Sequence, residues 1–213
     1  MKKVVTASLL VLLASVVNLA QAQAPEPVAG QDYIEISNGT PLDPADGKIV
    51  VEEFFNYICP ACNSFEPQFA AWAKRLPDDV KVVHIPATFR ADFVPYAKAY
   101  YAAEHFGIAE KAHNAVYKAI HQAHTLPSEG QRPDAEKVAA FYAKYGVDAD
   151  EFLAMMRSFQ VDFKIRRADD HMKRSQVSGT PAIVINGRYL VRGRGFADIL
   201  RTASYLIDKE RAK

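Results

Sequence analysis

Only two of the 213 residues are cysteine, Cys59 and Cys62, and that scarcity excludes several architectures at once. Two cysteines cannot build the multi-bridge framework that holds small secreted domains together. Completing a zinc site on this CxxC would take two more ligands, yet no second CxxC and no spaced Cys/His pair follows. The six histidines (84, 105, 113, 121, 124 and 171) are scattered. His121 and His124 share a face of an expected helix, where imidazoles without a carboxylate partner are expected to face solvent. No metal site is therefore expected. An excess of one charge sign is missing too: 26 Lys and Arg against 25 Asp and Glu leave +1, which gives nucleic acid no electrostatic footing. Arg192-Gly193-Arg194-Gly195 reads as a turn before a helix rather than an RNA-binding repeat. Internal repeats are absent, and a long apolar run occurs only at the N-terminus.

That run is an address. Lys2 and Lys3 precede apolar residues 4–17, and Ala20-Gln21-Ala22 supplies small residues for cleavage, so 1–22 reads as a secretory signal peptide. Ala22-Gln23-Ala24 is a second cleavage possibility. The stretch is short for a membrane anchor and lacks a basic stop-transfer flank. In an oxidising compartment, two cysteines spaced CxxC can serve as one working dithiol.

The local pattern around the pair supports that use. Residues 48–55 are rich in β-branched and aromatic side chains and predict a buried strand. Over 63–75, Phe65, Phe69 and Trp72 recur at helical spacing. Cys59 therefore falls at a helix N-terminus, where unpaired N–H groups and the positive end of the helix dipole favour thiolate over thiol. A low thiol pKa makes cysteine nucleophilic near neutral pH. Pro60 suits the first turn, where its missing N–H costs nothing. Cys62 can close a small disulfide with Cys59 or resolve a mixed disulfide on it. An inert structural disulfide is the bland alternative.

Glu53-Phe54-Phe55, Cys59-Pro60-x-Cys62 and Phe65-Glu66, with the later Gly179-Thr180-Pro181 and Asn186-Gly187, resemble the DsbA-type periplasmic thiol:disulfide oxidoreductases. The resemblance covers nearly all of the chain after the leader. It implies an α/β, thioredoxin-like fold with an inserted helical domain: 23–92 and 163–213 form the thioredoxin-like part, 93–162 the insert. It also implies a periplasmic monomer that donates a Cys59–Cys62 disulfide to unfolded exported proteins. A DsbB-type, quinone-linked membrane protein would reoxidise it, and no cofactor beyond the redox disulfide is needed. Typical members carry His between Pro60 and Cys62, where this chain has Ala61, so the departure bears on oxidising strength. A reductase or isomerase arm, and a chaperone-like binding module with an incidental CxxC, are the rival readings.

The remaining pattern gives a strand at 32–36, a strand at 80–86 parallel to the central one, helices near 96–106, 109–124, 134–145, 148–159 and 163–175, a hairpin at 182–191 turning on Asn186-Gly187, and a last helix at 196–211. Pro67 predicts a kink in the redox helix. Glu53, charged inside an apolar strand, is a candidate proton relay for Cys62, with Glu52 taking the solvent face. His84 on the next strand is either its partner or a core histidine. Glu66 reads as a helix-surface acid. Thr180-Pro181 fits the thioredoxin-like pattern for a cis X-Pro bond that presents backbone to a substrate.

Overall fold

The computed structural model describes residues 25–45 and 47–213; the signal-peptide stretch, 1–22, lies outside the described residues. The strands are β1 (Tyr33–Glu35), β2 (Ile49–Phe55), β3 (Val80–Pro86), β4 (Ala182–Ile185) and β5 (Tyr189–Val191). They make one sheet in the order β1-β5-β4-β2-β3. β2 pairs parallel with β3 and antiparallel with β4, so it has neighbours on both sides. Every residue of β2 is buried. Helix α1 (Pro60–Ala73) supplies the crossover from β2 to β3, as expected for a right-handed parallel connection. It continues through Pro67.

Helices α2 (Val94–His105), α3 (Ala109–His121), α4 (Ala135–Tyr142), α5 (Ala149–Met156) and α6 (Phe159–Arg174) lie between β3 and β4 in the chain, and α7 (Phe196–Arg211) closes it. One apolar cluster joins Phe54, Val184 and Leu190 of the sheet to α2–α6; the other joins Val51, Ile183 and Ile185 to Phe65 and Phe69 of α1 and Leu206 of α7. Phe65 and Phe69 are almost wholly buried, each contributing on the order of 2 kcal/mol of transfer free energy. On the same helix, Trp72 donates its Nε1–H to Ser204 Oγ of α7 at 2.9 Å.

Three expectations need correction. α6 begins four residues before position 163, because the Ser158 hydroxyl accepts from Val161 N (3.2 Å) and caps it. α3 stops at His121, leaving His124 beyond its end in a left-handed conformation at φ 52°. Glu52 is not on a solvent face: helices cover both faces of the sheet, so the alternation of β2 buries both acids. Its Oε1 accepts from Leu42 N at 2.6 Å and lies 2.8 Å from His171 Nε2 of α6.

The β4–β5 hairpin turns on Asn186 (φ 53°) and Gly187 (φ 68°), both left-handed as a two-residue hairpin turn requires. A Cβ on Gly187 would overlap the Thr40 carbonyl group, whereas one on Gly30, also left-handed at φ 80°, would meet nothing. Gly30→Ala should therefore cost only the backbone penalty, about 1 kcal/mol, and Gly187→Ala at least ~2 kcal/mol more. Urea unfolding of the two variants checks this; equal losses would mean that the loop from Ser37 to Pro41 yields freely.

Candidate active site

Cys59 is the N-cap of α1. Its backbone is extended (φ −74°, ψ 117°), its N–H donates to Asn56 O at 3.1 Å, and its Sγ accepts from Cys62 N at 3.3 Å. Pro60 occupies the first turn, and both thiols are free. Sγ of Cys59 also lies 3.5 Å from Thr180 O, in the loop that enters β4. The Thr180-Pro181 peptide bond is cis. This loop covers the sulfur: Cys59 retains 7% of its surface and Cys62 1%, so both thiols are buried and Cys59 is the more open of the two.

The two sulfurs have opposite acidities. The hydrogen bond from the Cys62 thiol is the largest influence on Cys59; burial opposes it, while Thr180 and the N–H groups of Cys62 and Ala61 reinforce it. The Cys59 pKa is lowered to about 6. Burial pushes the Cys62 thiol far up, and the neighbouring Cys59 sulfur pushes it further. Near neutral pH, then, one proton is shared out in favour of Cys62.

Beneath the redox turn, β2 and β3 pair in register at Glu53 and His84, which puts both side chains on one face. Glu53 Oε2 lies 2.7 Å from His84 Nδ1, and its Oε1 is buried without a hydrogen-bond partner. Burial works against the charged His84 ring, but the hydrogen bond and charge of Glu53, helped by Glu66 and Glu104, outweigh it and raise the His84 pKa. His84 is thus the partner of the acid.

Glu66 is not a surface acid. It is 5% exposed, with Oε2 3.5 Å from His113 Nε2, because α3 packs over this side of α1. His113 Nδ1 in turn meets the Tyr57 hydroxyl at 3.0 Å, and the His84 and His113 rings stand 4.9 Å apart. Glu66, His84 and His113 border a cleft of about 510 Å³ that also reaches Tyr100 and Glu104. His113 escaped the reading of the sequence, although it shares the buried stripe of α3 with Val116 and Ile120, three and seven residues on. His121 was expected in solvent, yet its Nε2 donates to Tyr57 O at 2.8 Å, a carbonyl that neither β2 nor α1 satisfies.

A family model for the DSBA-like thioredoxin domain matches residues 50–203. The thiol:disulfide interchange protein DsbA of Pseudomonas aeruginosa is 36% identical over 203 residues, spanning 94% of this chain and 93% of its relative. The DsbA of Burkholderia cepacia is 34% identical over 191 residues, 89% of this chain and 86% of the other. Among solved structures, the oxidoreductase DsbA from Xylella fastidiosa superposes with a TM-score of 0.83 at 41% identity, over 88% of this chain and 99% of that one.

Alkylation of the reduced protein, resolved by peptide mass spectrometry, should show Cys59 reacting with a pH midpoint near 6 while Cys62 stays unmodified until the protein unfolds. Equal rates at mildly acidic pH would contradict the assigned acidities.

Proposed function

The chain belongs to the DsbA-like thioredoxin family and is a thiol:disulfide oxidoreductase, and from that premise we propose that Cys59 is its nucleophile and that it oxidises unfolded exported proteins in the periplasm. The observation that carries this reading is the asymmetry of the thiols: a low-pKa sulfur at the helix cap and a buried, weakly acidic one a turn later. With the enzyme oxidised, a substrate thiolate attacks Cys59 Sγ; the Cys59–Cys62 bond breaks and Cys62 leaves with the electron pair. Burial disfavours a Cys62 anion, so a proton must follow. Glu53, paired with His84, is the candidate source, and returns to its starting state by exchange with solvent along the Glu66–His113 cleft. A second substrate thiolate then attacks the substrate sulfur of the mixed disulfide. The substrate loses two electrons as its disulfide forms, and Cys59 leaves as a stabilised thiolate.

The Thr180 carbonyl beside Cys59 Sγ is where an extended substrate backbone would dock, with Pro181 fixing the loop. Oxidant for the next cycle comes from a quinone-linked membrane protein of the DsbB class. Pro60 and Ala61 complete the helix cap, and Ala61 supplies no side-chain donor to the sulfur, so the Cys62 thiol is the foremost donor, with the backbone N–H groups of Cys62 and Ala61 adding to it. Cys62→Ser should trap a mixed disulfide between Cys59 and a disulfide-bonded peptide, because the Cys59 thiolate displaces one peptide thiolate and no Cys62 thiol remains to resolve the product, whereas Cys59→Ser should trap none. A trap on Cys59→Ser instead would reverse the assignment.

Linkage adds a stability test. A Cys59 pKa of about 6 folded against about 8.5 unfolded stabilises the reduced protein fully above the unfolded value, and the contribution fades as pH falls through the folded one. At about pH 7 it amounts to roughly 1.4 kcal/mol. Cys62, raised when folded, remains protonated in both states there and adds nothing. The melting temperature of the reduced protein should therefore drop relative to the oxidised one as pH goes from about 8 to 5. A gap independent of pH would remove thiolate stabilisation as a source of oxidising power.

A further inference from the structure

The peptide joining Tyr57 to Ile58 is the last but one before the redox cysteine, and both of its polar atoms are held by side chains. Its N–H donates to Asn56 Oδ1 at 3.2 Å, and its carbonyl accepts from His121 Nε2 at 2.8 Å. Asn56 is itself immobilised: fully buried, it donates from Nδ2 to the carbonyls of Ala87 (2.8 Å) and Phe93 (3.2 Å). The segment that leaves β2 is thus clamped from two directions before it turns into α1.

One of those directions is α3, which lies in the helical stretch between β3 and β4. Three of its residues, spaced by four, grip three parts of Tyr57. His113 takes the hydroxyl at 3.0 Å, the Tyr117 ring packs edge-on against the Tyr57 ring at 5.1 Å and 72°, and His121 takes the carbonyl. Spacing of four puts all three on one stripe of the helix. His113 also touches Glu66 and so belongs to the site already described; His121 meets the redox turn through backbone alone.

We propose that His121 is a positioning residue for Cys59, acting through the Tyr57–Ile58 peptide to fix the extended entry into α1 that brings Sγ onto the Cys62 N–H. The dependence is geometric. A sulfur acceptor 3.3 Å from an N–H keeps its hydrogen bond only while the backbone at Cys59 holds its angles, and the residue two positions earlier sets how the chain arrives there. With the carbonyl released, the peptide can rotate and the cap loosens, so the thiolate loses part of its donor set. The helical stretch then does more than cover the sheet: it tunes the redox sulfur by holding the turn in front of it. This inference rests on Cys59 being the nucleophile.

The experiment compares His121→Leu, which removes the donor, with His121→Gln, whose terminal amide N–H can reach where the imidazole Nε2 stands, and with His121→Asn, which keeps polarity but falls short. In each reduced variant of the mature protein, thiolate absorbance in the ultraviolet is titrated against pH and the thermal midpoint is recorded. Leu and Asn should raise the Cys59 midpoint by about one unit, a tenfold weaker hold on the thiolate, while Gln stays within a few tenths of wild type. A merely structural histidine would lower the melting temperature without separating Gln from Asn in the titration. An unchanged midpoint in Leu and Asn, or an equal shift in all three, overturns the proposal. If Leu does not fold, the Gln and Asn pair still decides. Cys59→Ser serves as the reference: if the low-pH titration survives in it, the nucleophile was misassigned and the proposal falls with that assignment, whereas its loss there ties the shifts in the His121 variants to Cys59.

Discussion

A helix that starts at Pro60 presents N–H groups with no carbonyl to receive them, and the atom that meets one of them here is a sulfur. Serine, threonine or aspartate would cap with an oxygen and finish the matter. A thiol in that place converts a capping interaction into chemistry, since the bond is strongest when the sulfur is ionised. Much of the surrounding structure can be understood as serving that one contact. β2 delivers the chain rigidly, Asn56 and α3 fix the turn, Phe65 and Phe69 anchor the helix in the sheet, and the Thr180 loop closes over the sulfur from the far side.

The second constraint is the pair of consecutive acids in a strand with no exposed residue. Each found a histidine: Glu53 with His84 on one face, Glu52 with His171 on the other. The environments differ. His171 is enclosed, stacked against Phe54, and ties α6 to the sheet and, through Glu52, to the loop at Leu42. His84 keeps 29% of its side chain open and borders the cleft, so its acid can communicate with solvent. Two Glu–His pairs on one strand thereby separate into one closed within the core and one that reaches the cleft.

How much of this was legible in the sequence follows from the range of the signal. The cysteine pair, its helix, the parallel neighbour, the hairpin at Asn186-Gly187 and the charged interruption at Glu53 are local patterns, and they read correctly. Glu52, Glu66 and His121 were misread for one shared reason. Their surroundings are decided by α6, more than a hundred residues away, for Glu52, by α3 for Glu66, and by the Tyr57 carbonyl of the redox turn for His121, and no periodicity near them carries that information. His113 was missed because a histidine in an apolar stripe looks like any tolerated core position until its neighbours are known. The start of α6 is a different failure: Ser158 is a plain cap signal, but it falls inside the stretch 148–159 that reads as one helix.

Trp72 is the only indole in the chain, and it sits on the redox helix with its N–H committed to Ser204 of α7. Ten residues of helix separate it from Cys62, roughly 15 Å along the axis, too far for a thiol or disulfide to quench it by contact. Its fluorescence is therefore an unlabelled optical gauge of a single seam, that between α1 and α7. Any change in emission on reduction must be transmitted mechanically down the helix, and its absence would locate the redox change wholly at the helix's first turn.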